Sequence, residues 1–417
     1  MRLPLWLLIM ALPASAEFLV PDQPYRCHPA DTACKSKFDL PWQQRPAGEN
    51  YSLNFVEYND HGDPWSPHQL TEALAQIDKA RADNPTTLVL LYIHGWQNNA
   101  HDTGDVSHFE NDMLKVASRA YFPAASRDKA PPVVGIYLAW RGLTFTKEPF
   151  MHVISYWPRR QVATNIGAKG MFDGVEQIRR KVAEQRQKTL FVLIGHSFGA
   201  RVLENAVEGL DRNQQPGFMK RYRADHTSNV TSGNSDLPPA DLIFFVNAAT
   251  SSAVTRRTLK ELRVLCKKNS GDPICLSDPM YYAVTSHADL ATGLVMPLAN
   301  LVIPALSTDG LHLVSAANSS SLHTHNDPAP MSDCPPSPQP LQCASGDAFC
   351  FRAREEGKRT CYEVDPIHRD EPAKFWIMNV GGNLIGSHTD VWNQDVIRLI
   401  QAVLDHNSRF HTMTSGR

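Results

Sequence analysis

Apolar residues along this chain gather in short, nearly unbroken runs: Thr86–Ile93 (TTLVLLYI), Pro132–Trp140 (PVVGIYLAW), Thr189–Ile194 (TLFVLI), Asp241–Val246 (DLIFFV), Met280–Thr285 (MYYAVT) and Lys374–Val380 (KFWIMNV). A strand with one wet face would alternate apolar and polar residues, so continuous runs of this length predict strands covered on both faces. Leu53–Tyr58 reads as an earlier strand. Between the runs the apolar spacing turns helical. Ser66-Pro67 opens a helix through Ala82 that sets Leu70, Leu74 and Ile77 on one face. Further helices are predicted over Asp112–Tyr121, Arg159–Gln185, Phe198–Leu210, Arg256–Cys266 and Thr389–Asp405. Strand and helix in alternation predict an α/β fold, a doubly wound and mostly parallel sheet joined by crossovers.

Two stretches interrupt this rhythm. Residues 211–240 are polar and rich in Gly, Pro and Asn, and residues 307–372 carry four cysteines and a Pro-rich run at 334–338. Either reads as a lid over a site or as a surface excursion, and the pattern leaves both open. The expected organisation is therefore a leader at 1–16, a Pro-rich arm framed by a disulfide at 17–50, and one α/β domain at 51–417 with two insertions.

The leader is read from Arg2, the apolar stretch Leu3–Leu12 and the small residues Ala14-Ser15-Ala16, the arrangement of a secretory signal cleaved after Ala16. The apolar stretch is shorter than the roughly 20 residues of a membrane span. The expected location is secreted or periplasmic. The eight cysteines all lie beyond it and come in close pairs: Cys27 and Cys34, Cys266 and Cys275, Cys334 and Cys343, Cys350 and Cys361. An even count in an exported chain points to disulfides, with sequential pairing expected and 334–350 with 343–361 as the competitor. None has zinc-ribbon spacing. A formal net charge of −2 gives no attraction for nucleic acid, so no nucleic-acid partner is expected.

One of these strands runs into a motif. In TLFVLIGHSFGARVLENAV a strand meets Gly195-His196-Ser197-Phe198-Gly199 and a helix follows. A sharp strand-to-helix turn forces the serine backbone into a strained region and leaves no room for Cβ atoms at the flanking glycines. Such a turn is expected to leave the serine hydroxyl exposed at the helix N-terminus, where negative charge is favoured. Ser197 is thus the candidate nucleophile. It needs a base, and the base needs an acid to orient it, in the chain order Ser, acid, His at successive strand ends. Asp289 follows the strand Met280–Thr285 and is the candidate acid, with Asp309 and Asp278 as alternatives; His388 follows the last strand and is the candidate base. His94-Gly95-Trp96 closes an earlier strand, so the backbone N–H groups of Trp96 and Phe198 are the candidate oxyanion donors, with their side chains as apolar walls.

HGW, GHSFG, a strand-end Asp and a late His together resemble α/β-hydrolases over nearly the whole chain. More narrowly, HGWQNN, the strand ending in Trp140 and GHSFGARVL are similar to a group of bacterial α/β-hydrolases of unknown function. That resemblance implies lipase- or esterase-like chemistry on a small-molecule or lipid ester, without a cofactor or metal. A thioesterase, peptidase or acyltransferase on the same residues, or a binding protein that keeps only the fold, stays open beside it. The arm and the cysteine-bearing insertion depart from that group.

Three weaker signals complete the reading. Leu290–Leu306 is apolar but holds two prolines and a glycine, which favours a pocket wall over contact with a lipid interface. His323-Thr324-His325-Asn326-Asp327 has metal-ligand types but reads as a solvated loop. Asn229 and Asn318 begin glycosylation patterns.

Overall fold

The computed structural model describes residues 19–122, 132–144, 149–209, 217, 219–222, 240–250, 252–268, 275, 280–292, 326–335, 343, 349–355, 358–365, 367 and 375–407, with 39, 85 and 102 excepted. The leader, both glycosylation patterns, Asp278, Asp309 and His323–His325 lie outside these residues, as do most of 211–240 and all but the start of the apolar segment after Asp289.

Strands run in chain order β1 (Gln43–Gln44), β2 (Tyr51–Glu57), β3 (Thr87–Ile93), β4 (Val133–Ala139), β5 (Thr189–His196), β6 (Leu242–Val246), β7 (Tyr281–Ser286), β8 (Ala329–Pro330), β9 (Phe349–Glu355), β10 (Lys358–Val364) and β11 (Phe375–Val380). Eight of them form one sheet in the order β1-β2-β4-β3-β5-β6-β7-β11, and every pairing except the short β1–β2 contact is parallel. The period of two along a strand divides the core: Val89, Leu91 and Ile93 of β3 join one buried cluster, and Leu88, Leu90 and Tyr92 join the other. Burial on both faces is why these segments carry no polar alternation.

The first cluster is covered by α1 (Pro67–Asp83), α4 (Pro149–Gly167), α5 (Gly170–Ala183), α6 (Phe198–Glu208) and α7 (Ser252–Lys268). The second is covered by α2 (Thr103–His108), a π-helical turn (Phe109–Leu114), α3 (Lys115–Tyr121) and α8 (Gln394–His406). The single helix expected over 159–185 is two. Lys169 leaves helical geometry, and Gly170 packs so tightly on Gly62 that a Cβ would stand 1.8 Å from the Gly62 carbonyl oxygen. No helix among the described residues is long and apolar enough to cross a membrane.

The 307–372 insertion contains a second sheet, β8-β10-β9, that the sequence pattern did not announce. Phe351, Tyr362 and Val364 join the second cluster, and Tyr362 Oη accepts a hydrogen bond from Asn383 Nδ2 at 2.9 Å. This sheet therefore buttresses the segment just before His388. Its disulfides correct the expected pairing. Cys27–Cys34 and Cys266–Cys275 are sequential, but the last four pair as Cys334–Cys361 and Cys343–Cys350. The hairpin register sets Cys361 opposite Arg352 and Cys350 opposite Glu363, which leaves the two cysteines diagonal. Diagonal neighbours stand roughly 7–8 Å apart, farther than a bridge spans. The amide of Met331 donates to the Cys361 carbonyl at 2.7 Å and brings Cys334 alongside instead. Four disulfides and no free cysteine fit an oxidising environment such as the periplasm or the cell exterior.

The arm before β2 is stitched to the strand ends. The amides of Tyr25 and Arg26 donate to the Glu57 carboxylate at 2.9 and 2.6 Å, and the Arg26 guanidinium lies 3.7 Å over the Phe55 ring. Arg141 Nη1 donates to the Val20 carbonyl at 2.8 Å and also pairs with Asp60, whose carboxylate Arg159 grips with both terminal nitrogens at 2.8 Å.

Candidate functional site

The site forms where β3, β5, β6, β7 and β11 end together. Ser197 sits between β5 and α6 with φ 56° and ψ −119°, a left-handed backbone rare for a residue with a side chain. The neighbouring glycines are required by contact. A Cβ at Gly199 would meet the Ile93 carbonyl oxygen at 2.0 Å, and one at Gly195 would meet the Ala200 Cα at 2.6 Å. The main chain of the serine is anchored on both sides, its N–H donating to Val246 O and its carbonyl accepting from Ala249 N–H, each at 3.1 Å.

The three residues expected to act together are in contact. His388 Nε2 lies 2.7 Å from Ser197 Oγ, and His388 Nδ1 lies 2.9 and 3.0 Å from the two oxygens of Asp289. A proton on Nδ1 is held by the carboxylate, which leaves Nε2 as the acceptor for the serine hydroxyl. Asp289 is buried and also accepts from Ala291 N–H, Thr292 N–H and Thr292 Oγ1 at 2.9, 3.1 and 2.5 Å. Burial works to raise its pKa, but the bonds from His388 and Thr292 outweigh it and hold the carboxyl below its ordinary value. Asp289 is therefore an anion at neutral pH.

One expectation needs correcting. The turn was read as exposing the serine hydroxyl, yet Ser197 is 2% exposed, while the His388 side chain is 18% exposed. The HGW turn is the reason: a Cβ on Gly95 would stand 2.8 Å from the Ser197 Cβ.

That same closeness brings the HGW turn to Ser197. His94 fixes it. His94 Nε2 accepts the Trp140 N–H at 3.1 Å, Nδ1 then donates to Gly95 O at 2.9 Å, and the His94 carbonyl accepts from Trp140 Nε1 at 3.1 Å. The Trp96 amide has no backbone acceptor among the described residues. The Phe198 amide opens α6, where no intrahelical acceptor exists. Among the described residues, then, neither candidate donor is committed to a backbone acceptor. Their side chains differ from the reading. Trp96 is half-buried, with Nε1 donating to Ser155 Oγ at 3.2 Å, but Phe198 is core, packed on Tyr156 at 5.1 Å between centroids.

Two residues that the sequence reading passed over complete the site. His196 Nε2 donates to the His388 carbonyl at 2.9 Å. Burial, then the neighbouring His388, push the His196 pKa down to about 4, so it is neutral at pH 7. Asn247 is fully buried with φ 44° and donates to the same carbonyl at 3.1 Å. The only advance signal for either was its place at a strand end.

Metal-ligand types do gather elsewhere, at His28, Asp31 and His68, with one donor atom from each within 4.8 Å of the others. His28 Nδ1 accepts the Ala30 amide at 3.1 Å, and Asp31 takes hydrogen bonds from His68 and Ser66. These bonds engage the group in closing the arm onto the start of α1.

Comparisons of the chain with family models, with curated proteins and with solved structures found no match.

Proposed function

We propose that the protein is a serine hydrolase of the α/β-hydrolase type that cleaves carboxylic esters, operating in an oxidising compartment outside the cytosol. The observation that carries this reading is the continuous hydrogen-bonded line from Asp289 through His388 to Ser197. In this reading Ser197 Oγ forms a bond to the ester carbonyl carbon while its proton passes to His388 Nε2. The carbonyl oxygen takes the negative charge and is met by the Trp96 and Phe198 amides and the N-terminal end of α6. Asp289 stabilises the imidazolium that forms. His388 then returns the proton to the departing alkoxide as the C–O bond breaks. Water then loses a proton to His388 and attacks the same carbon, and His388 gives that proton to Ser197 Oγ as the acyl C–Oγ bond breaks and the carboxylic acid leaves.

The test is covalent labelling by a fluorophosphonate, in which Ser197 Oγ displaces fluoride from phosphorus. Wild-type protein should label at one site and Ser197→Ala should not. Equal labelling of both, or of neither, removes the reading. A series of p-nitrophenyl esters of rising chain length then separates short-acyl from long-acyl preference, and a higher kcat/KM on thioesters or peptides would reassign the substrate class.

A further inference from the structure

We infer that Asn247, assisted by His196, is a positioning residue that sets the reach of the His388 imidazole toward Ser197; this rests on the serine-hydrolase reading above. The His388 carbonyl accepts two hydrogen bonds, from His196 Nε2 at 2.9 Å and from Asn247 Nδ2 at 3.1 Å. Asn247 Nδ2 also reaches the Ser387 carbonyl at 3.4 Å, while Asn247 Oδ1 accepts the Ser286 amide at 3.1 Å. One fully buried amide thus ties the end of β7, three residues before Asp289, to the loop that carries His388. The residue before it, Val246, holds the Ser197 amide, so the same turn touches Ser197 and His388 and reaches the strand end that leads to Asp289.

The backbone sharpens the inference. Asn247 has φ 44°, a conformation that glycine adopts freely and asparagine more readily than most residues with a side chain. Glycine would therefore serve the turn as well. What asparagine adds is an amide that donates to the loop of His388 and accepts from the end of β7. His196 supplies the second donor from the β5 side, and its buried imidazole is held neutral, so Nε2 carries the proton that it gives to His388 O.

The experiment compares Asn247→Gly and Asn247→Asp with wild type in the full mature chain, by kcat and KM on a p-nitrophenyl ester, by fluorophosphonate labelling rate and by Tm. Asn247→Gly relieves the backbone and removes the amide. Its Tm should stay near that of wild type, KM should stay within about twofold, and kcat should fall roughly 30- to 100-fold, as expected for a base out of position by a fraction of an ångström. Asn247→Asp keeps the acceptor for Ser286 N–H and loses the donor to the His388 carbonyl, so its kcat should fall with that of Asn247→Gly while KM holds. A merely structural asparagine would change Tm and leave kcat in place. Should either variant fail to fold, His196→Leu and His196→Gln decide: Leu loses activity and Gln, which keeps a donor, restores most of it. Full kcat in Asn247→Gly, or equal activity in the two His196 variants, overturns the inference. Absence of labelling in wild type would instead overturn the serine-hydrolase reading.

Discussion

Gly95 and Ser197 lie so close that a methyl group on the glycine would stand 2.8 Å from the serine Cβ. Real Cβ atoms do not approach at that distance, so the turn carrying Trp96 can meet Ser197 only with a hydrogen at position 95. Gly95→Ala should therefore push the HGW turn away from the elbow and carry the Trp96 amide with it. We expect kcat to fall by about 100-fold or more, since one displaced oxyanion donor has that order of effect. Steady-state kinetics beside a thermal melt would check it, and wild-type turnover by Gly95→Ala would remove Trp96 N–H from the site.

Asp289 offers a cleaner separation of geometry from charge. Asp289→Asn keeps the shape but favours the tautomer of His388 that presents an N–H to Ser197. Labelling by a fluorophosphonate should slow by about a thousandfold. Thr292→Val removes only the hydroxyl that donates to Asp289 at 2.5 Å and should have a much smaller effect. Comparable labelling of wild type and Asp289→Asn would exclude this carboxylate as the orienting acid.

Stability should carry the signature of His196. Its pKa is about 4 when folded, against an ordinary value of 6.5, so between those values the unfolded chain binds a proton that the folded chain does not. Its contribution is complete above pH 6.5 and declines as pH falls toward 4. At pH 5 the loss attributable to this residue is about 2 kcal/mol. Glu57 works in the opposite sense: burial raises its pKa to about 7, so its contribution is complete below 4.5 and declines as pH rises. The comparison must therefore be differential. Urea midpoints of wild type and His196→Gln at pH 7.5 and 5.0 should show the smaller change in the variant, and parallel changes would contradict the assignment.

The nested disulfides are checked by peptide mapping without reduction, which should recover residues 334 and 361 in one linked species and 343 and 350 in another. Replacing Cys334 and Cys361 together by serine should cost about 3 kcal/mol, the order expected for a loop of this length. Linked 334–343 peptides would instead restore the sequential pattern.

Much of this was legible before any coordinates, and the reasons are local. The runs that became β3 to β7 and β11 are continuous because both faces are covered, and continuity is visible in a string of letters. The elbow was legible because its glycines are steric necessities. What was hidden depended on distant partners. The break near Lys169 is imposed by Gly62 across the fold, where it meets Gly170, a contact between residues more than a hundred apart that helical spacing cannot register. The β9–β10 hairpin was missed because FCFRARE and KRTCYEV are too charged to read as a buried strand pair. Asn247 was missed for a further reason: its value lies in what its amide spans, and no motif surrounds it.

The stitching of the arm bears on how the chain is made. Val20 and Asp22 leave the ribosome early, but Arg141 and Arg159, which with Asp60 receive them, emerge more than a hundred residues later. The stretch at Val20 is thus among the last to dock. A nascent chain halted before position 141 would have Glu57, Ser66 and His68 to hold residues 25–34 but no guanidinium to hold the Val20 carbonyl, so protease resistance at Val20 should arrive later than that of the Cys27–Cys34 loop.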